Sequence, residues 1–385
     1  MYDLKIKKKK ALLIFTDIYF DMKKNNSLVS KTNGKKIEAL RHIEEDELCS
    51  LTKNIFIEPV FIMRFKIASP NPATLVGSGQ LEKIAETAHA LDAEIIIFNS
   101  DLSPGVQRNL ETFLNLCVID RREVIITIFA DRAKTHEAVL QAKLAGLEYS
   151  MPRLSRRWEG MAQQRGGVKG SRGAGEKKLE LDKRKLRSNI SKLKKEVEKV
   201  KTQRDVQRKN RMNGGKKVGA IVGYTNAGKS SLLKKLSGTE IFTEDTLFAT
   251  LDAETRKIFF QTEAESVSFL LTDTVGFVSN LPHQLIDSFR STLEEAVIAD
   301  FLLIVCDASH PAMRECFAVT NSILNELGCS NKPVIIAINK IDKAFDMGEI
   351  LSFKLQYPEA VEISVKTGSG LDVLKTKLKQ IVCID

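Results

Sequence analysis

The 385-residue chain, 43% hydrophobic and 28% charged, has the composition of a soluble globular protein and the length for two or three domains. No apolar run approaches the roughly 18 to 20 residues that span a bilayer, and the basic start, whose apolar run Ala11 to Phe15 is short and soon interrupted by Asp17, does not read as a signal peptide. The net charge of +10 is uneven: residues 151–217 hold 23 Lys/Arg against 7 Asp/Glu, a net of +16, and the remainder, 36 against 42, is −6, which points to an anionic partner for that one segment.

Residues 1–154 read as an α/β domain with a mostly parallel sheet. Residues 5–10 form a solvated strand lead-in or a loose basic end. The apolar runs Glu94 to Phe98 and Glu123 to Phe129 are expected as strands buried on both faces. Helices are expected over Gln80 to Leu91 and over Ala133 to Leu147, where Ala138, Leu140, Leu144 and Leu147 fall at helical spacing. Gly77-Ser78-Gly79 and Ser103-Pro104-Gly105 are the tightest punctuation. The cysteines (Cys49, Cys117, Cys306, Cys316, Cys329, Cys383) make no CxxC pair and fit no zinc spacing, so they read as reduced thiols.

Residues 155–213 change character. Gly166, Gly167, Gly170, Gly173 and Gly175, mixed with Arg165, Lys169 and Arg172, make a basic loop that cannot build a core. Glu176 to about Arg211 then reads as one long basic helix. Leu186, Ile190, Leu193, Val197 and Val200 step by four, three, four and three, the seam of a coiled coil, with Leu179 one heptad upstream. A helical hairpin, or a pair packed on a neighbouring helix, fits that seam. Asn213-Gly214-Gly215 breaks the helix.

Residues 214–385 return to βα alternation. Strands are expected at Val218 to Val222, Phe269 to Leu271, Phe301 to Cys306, Val334 to Ile338 and Val361 to Ile363, the pattern of a doubly wound sheet. After the first strand, Gly223-Tyr224-Thr225-Asn226-Ala227-Gly228-Lys229-Ser230 matches G-x-x-x-x-G-K-[ST], and Ser231 can open a helix. The amides of such a loop converge on phosphate oxygens. Lys229 is expected on the β and γ phosphates and Ser230 on Mg²⁺. Asp273-Thr274-Val275-Gly276 follows the second strand; Asp273 can hold a water on Mg²⁺, and the Gly276 N–H can sense the γ phosphate. Asn339-Lys340-Ile341-Asp342 follows the fourth. A buried Asp342 carboxylate would accept guanine N1–H and N2–H and reject adenine, which offers neither donor. Ser364-Val365-Lys366 follows the last strand and suits a backbone N–H on the guanine carbonyl.

These motifs, in this order at strand ends, imply a P-loop domain that binds and hydrolyses GTP. Thr250 is the candidate for the second hydroxyl on Mg²⁺, with Thr243, Thr246 and Thr255 as competitors. Phe277 stands where Ras-type GTPases carry a water-orienting Gln, so weak intrinsic hydrolysis is expected, completed by a partner or a cation. Asn226 matches the loop Asn of K⁺-activated relatives and is the candidate K⁺ ligand.

Upstream motifs narrow the resemblance. They are Ala73-Thr74-Leu75-Val76-Gly77-Ser78-Gly79-Gln80-Leu81-Glu82, Asp101 to Leu110, Val118-Ile119-Asp120-Arg121 and Ile128 to Thr135. Leu147-Glu148-Tyr149, Pro152-Arg153-Leu154 and Arg172-Gly173-Ala174-Gly175-Glu176 continue the series. Across roughly residues 70–380 the chain resembles the HflX family of ribosome-associated GTPases. Ala174 departs from the family's Pro, Lys177 and Lys178 from its Thr-Gln, and the glycine loop runs one residue longer near Lys169. An extra C-terminal domain found in some members is not expected, because one helix follows Lys366. The resemblance implies binding to the large ribosomal subunit near the peptidyl-transferase centre, and splitting or rescue of stalled ribosomes. It also implies a cytoplasmic location, with a peripheral membrane-associated fraction, and a monomer. The +16 segment suits rRNA phosphates through residues 155–211, beside the alternative that its Lys and Arg only solvate a coiled coil. Some relatives are credited with ATP binding by the N-terminal domain; Gly77-Ser78-Gly79 lacks the Lys or Asp arrangement for it.

Two other classes compete. A tRNA-modifying GTPase shares the loop Asn, but Cys383 lacks the catalytic Cys motif of those enzymes. A membrane-surface switch would need an amphipathic arm with large aromatics.

Overall fold

A computed structural model describes residues 8–18, 34–153, 181, 183–200, 202, 216–238, 248, 254–261, 266–278 and 290–383. The chain forms two compact units, residues 1–131 with 142–196, and residues 132–141 with 197–385.

The first unit is built on a four-stranded, all-parallel sheet of β1 (Lys9–Ile18), β2 (Ile57–Ile67), β3 (Ile95–Phe98) and β4 (Cys117–Asp120), in the order β2-β1-β3-β4. Ala11 through Phe15 are all buried, as expected of a strand with both faces covered. One face of the sheet packs Leu12, Ile14, Ile96, Phe98 and Val118 against Leu81, Ile84 and Ala88 of α2 (Ser78–Ala90) and Leu110 and Leu114 of α3 (Pro104–Leu114). The turn signals at 77 and 103 are helix starts. Gln80 reaches back to the Gly77 N–H at 3.0 Å, and Ser103 caps the Val106 N–H with Pro104 in the first turn. The helix α1 (Gly34–Asn54) precedes β2.

The expected strand Glu123 to Phe129 is a helix, α4 (Arg121–Arg132). Its β-branched run is apolar on almost every side because Val124, Ile125, Ile126, Ile128 and Phe129 are all buried. What sets it as a helix is the residue before it: Asp120 Oδ1 accepts the Glu123 N–H at 2.9 Å, an N-cap bond with Glu at the third position. Asp120 is also a hub. It accepts the Tyr149 hydroxyl at 2.9 Å and the Leu102 N–H at 3.1 Å. Burial, then the Asp120 and Glu123 carboxylates, push the Tyr149 hydroxyl far above its ordinary range and keep it a donor. Arg153 stacks 3.6 Å over the Tyr149 ring and donates to the Leu102 carbonyl and to Gln107 Oε1, each at 2.6 Å. The upstream motifs around residues 102, 120, 149 and 153 thus meet at one carboxylate.

After α5 (His136–Ser150), residues 183–200 form helix α6. From Arg184 to Val200 only Leu186, Ile190, Leu193, Val197 and Val200 escape full exposure, the seam expected from spacing alone. Lys194 pairs with Glu148 of α5 at 2.8 Å. The glycine loop, Leu179, and the domain joints near 154 and 213 lie outside the described residues.

The second unit carries a six-stranded sheet. Its strands are β5 (Val218–Gly223), β6 (Glu254–Gln261), β7 (Ser266–Asp273), β8 (Phe301–Asp307), β9 (Val334–Asn339) and β10 (Val361–Glu362), in the order β10-β9-β8-β5-β7-β6. All neighbours are parallel except β6, an antiparallel edge strand on β7 that the sequence reading does not contain. Its alternation buries Ile258 and Phe260 and leaves Phe259 exposed. Helices α7 (Lys229–Ser237) and α11 (Leu371–Cys383) cover one face; α8 (Arg290–Ile298), α9 (Met313–Glu326) and α10 (Met347–Gln356) cover the other. No described helix is long and apolar enough to cross a membrane.

In the first unit, the Arg121 guanidinium meets Glu47 at 2.9 Å with both side chains almost fully buried. Removing one partner strands the other charge, at a cost of about 3 to 5 kcal/mol. Arg121→Met is therefore expected to lower the urea midpoint of the transition that includes this unit, and an unchanged midpoint would show the pair to be dispensable.

Candidate nucleotide site

Four segments far apart in sequence end at the carboxyl edge of the six-stranded sheet, where open α/β sheets bind ligands. The loop Tyr224–Gly228 leaves β5 and turns into α7. Gly228 has φ +90, and a Cβ there would stand 2.4 Å from Asn339 Nδ2, so the loop passes this point only as glycine. Asn339 is buried. Its Nδ2 donates to the Ala227 carbonyl at 2.9 Å, and its Oδ1 accepts the Val365 N–H at 3.1 Å. One amide side chain thus ties together the phosphate-type loop, the Asn339–Asp342 segment and the Ser364–Lys366 segment.

Lys229 opens α7 and is buried. Its Nζ donates to the carbonyls of Tyr224 at 2.8 Å and Gly223 at 3.1 Å. Burial holds its ammonium down to about 8, an effect the Asp273 charge offsets only in part. Ser230 Oγ bonds Asp273 Oδ2 at 2.5 Å, which places a hydroxyl and a carboxylate together at the sheet edge. These are hard oxygen donors of the kind Mg²⁺ takes. Ser231 lies half-buried in the same helix turn, and Asn226 stands exposed at the loop tip with φ 61.

The Asp273–Gly276 segment lies against the loop. Thr274 Oγ1 donates to the Ile221 carbonyl at 2.7 Å, and Val275 is buried. A Cβ on Gly276 would come within 2.8 Å of Lys229 Nζ, so glycine lets this segment reach the lysine. The Thr225 N–H donates to the Phe277 carbonyl at 2.8 Å, and the Phe277 N–H to the Gly223 carbonyl at 3.1 Å. The Phe277 ring is buried among Ala220, Val222 and Leu302. It has neither the polarity nor the position to orient a water.

One expectation needs correction, the burial of Asp342. Asp342 is exposed at the rim. Its carboxylate is held below the ordinary range chiefly by the Ser364 hydroxyl, which donates to Oδ1 at 2.6 Å, against a smaller opposing effect of desolvation. Of the Ser364–Lys366 amides, those of Ser364 and Val365 are engaged with the Ser369 carbonyl and Asn339 Oδ1. Thr250, with Thr243 and Thr246, falls outside the described residues. Thr255 is engaged in the β6–β7 ladder with Thr272 at 2.9 Å. Asp307, at the end of β8, was not singled out from sequence; it pairs with Lys340 at 2.8 Å. A lone carboxylate closing a wholly apolar strand is the signal that marks it.

Comparison with known proteins agrees with this geometry. Residues 218–340 match the family described as 50S ribosome-binding GTPase. Residues 43–130 and 132–211 match the GTP-binding GTPase N-terminal and middle regions. The chain is 65% identical to GTPase HflX of Treponema denticola, over 100% of both chains. It is 43% identical to GTPase HflX of Akkermansia muciniphila, over 84% of this chain and 76% of that one. It is 37% identical to GTPase HflX of Escherichia coli, over 89% of this chain and 79% of that one.

Lys229 must be charged to hold a phosphate, and a bound phosphate raises its pKa. Affinity is then full below about 8 and falls as pH rises through that value. GDP affinity measured by calorimetry should be about fourfold weaker at pH 8.5 than at pH 7, with proton uptake on binding, whereas Lys229→Arg should give a flat profile. A flat profile for the unmodified chain would take Lys229 off the phosphates.

Proposed function

This chain is a member of the HflX family of GTPases, within the Obg–HflX superfamily, and we propose that it couples GTP binding and hydrolysis to splitting, rescue or recycling of ribosomes on the large subunit. GTP or GDP binding and GTP hydrolysis come with the family; the coupling is the proposal. The observation that supports the nucleotide half of this reading best is the convergence on Asn339 of a loop 112 residues before it and a segment 26 residues after it, beside a hydroxyl–carboxylate pair suited to Mg²⁺.

In this reading Gly223–Ser230 cradles the phosphates, and Lys229 neutralises the β and γ groups. Ser230 and Thr250 would hold Mg²⁺ directly and Asp273 through water; the ion would draw charge off the phosphates. The Gly276 N–H faces the γ phosphate. Asp342 accepts from the base, and the Lys366 N–H meets the guanine carbonyl. Asn226, exposed at the tip of the loop, is the group that would meet K⁺.

The buried Phe277 ring supports dependence on an outside group for hydrolysis. Residues 155–211, within the +16 segment, would carry the rRNA contact, since that attraction is electrostatic and salt-sensitive. The described part of this arm, α6, exposes Lys and Arg on every side away from its apolar seam.

GTP hydrolysis should rise at least tenfold when purified large subunits are added, and more in K⁺ than in Na⁺. The stimulation should fade between 50 and 200 mM salt. Rates that stay level across a subunit titration would end the ribosome reading. Asp342→Asn should weaken GDP binding and shift preference away from guanine nucleotides, measured by competition with inosine and xanthosine diphosphates.

A further inference from the structure

Asp307 lies outside the four converging segments, yet it is wired to one of them. It is the register partner of Asn339 across β8 and β9. One carboxylate oxygen lies 2.8 Å from Lys340 Nζ. The other accepts the Ser309 N–H at 2.9 Å and its hydroxyl at 2.6 Å, so the carboxylate is fixed before the lysine reaches it. The next residue, Ala308, donates its N–H to the Asn339 carbonyl and accepts the Phe345 N–H, each at 2.8 Å. The strand end bearing Asp307 is thereby tied on both sides of the Asn339–Asp342 segment. Lys340 itself takes the left-handed conformation, φ 60, which is uncommon for a residue with a Cβ.

A lysine two positions before an exposed carboxylate would ordinarily compete for it. The cations that bear on Asp342 are Lys366 and Lys343. Lys340 is drawn to the other side; its side chain is 28% exposed and that of Asp307 13%. A partly buried charge pair of this kind is shielded from salt and holds its geometry better than a surface pair.

We propose that Asp307 is a positioning residue for guanine-nucleotide binding: it anchors the Lys340 ammonium on the β8 side, keeps the Asp342 carboxylate open to the base, and holds the Lys340 stem in place at the rim. The proposal rests on the reading of Asp342 as the base acceptor. A lysine stem is flexible, and anchoring it before binding removes an ordering step from the bound state. Without the anchor, Lys340 is released to pair with Asp342, and guanine must displace it.

The test is a double-mutant cycle on the full chain, read by GDP, GTP and IDP affinity. Asp307→Asn keeps the shape and an acceptor for Ser309 but removes the charge. It should weaken GDP and GTP by the same factor, about tenfold, because the defect lies at the base end, and it should narrow the preference for GDP over IDP, which lacks the 2-amino donor. In a Lys340→Met background the same change should have no further effect. Should Asp307→Asn fail to fold, Asp307→Glu, which keeps the charge but moves it by one methylene, should show the same common loss at smaller size. Asp342→Asn serves as the control. If it leaves GDP affinity intact, the base reading itself has failed. If it weakens GDP as expected while Asp307→Asn changes nothing, separates GDP from GTP, or acts equally without the Lys340 ammonium, the positioning role is overturned.

Discussion

Three of the four segments at the carboxyl edge of the larger sheet are tied together by the Asn339 side chain. A primary amide is the one small side chain with a donor and an acceptor side by side, and here both are spent on backbone from other segments, the Ala227 carbonyl and the Val365 N–H. Buried as it is, either half left unmatched would carry the full desolvation penalty of a polar group. An aspartate would lose the donor to Ala227, and a leucine both bonds. Gly228 completes the constraint, because only a residue without Cβ leaves room for the amide to pass the loop. Strand β9 thus delivers the group that sets the distance between the loop at one end of the site and the Ser364 turn at the other.

The smaller sheet uses the same device with different chemistry. Asp120, last residue of β4, holds the first turn of α4, the Tyr149 hydroxyl and the Leu102 amide. Arg153 closes over the ring of that tyrosine. In both units a short polar side chain at the end of a buried apolar strand gathers loops that the hydrophobic core cannot fix by itself. Core packing positions the strands; these groups position the loops and helix starts beyond them.

The nucleotide motifs were legible in sequence because each is a loop whose chemistry demands particular residues at fixed spacing, and the loops fall where strands end. The heptad seam of α6 was legible because burial there obeys a simple period. The run Glu123 to Phe129 has the pattern of a strand and forms a helix for a definite reason. A helix enclosed on nearly all sides loses its polar stripe, and its β-branched residues then look like a central strand; Asp120 and Glu123, spaced as a cap, carried the contrary signal. Strand β6 escaped notice because an edge strand with one wet face has a short, broken alternation. Asp307 and the exposure of Asp342 were beyond a linear reading, since both depend on which strand lies beside which.

The bond from the Thr225 amide to the Phe277 carbonyl makes the loop self-sufficient. An arriving anion that claims that amide displaces a carbonyl, so entry is an exchange of acceptors and its net gain is a difference. The Phe277 N–H still donates to the Gly223 carbonyl, so the strand end stays tied to the loop whichever acceptor the Thr225 amide takes.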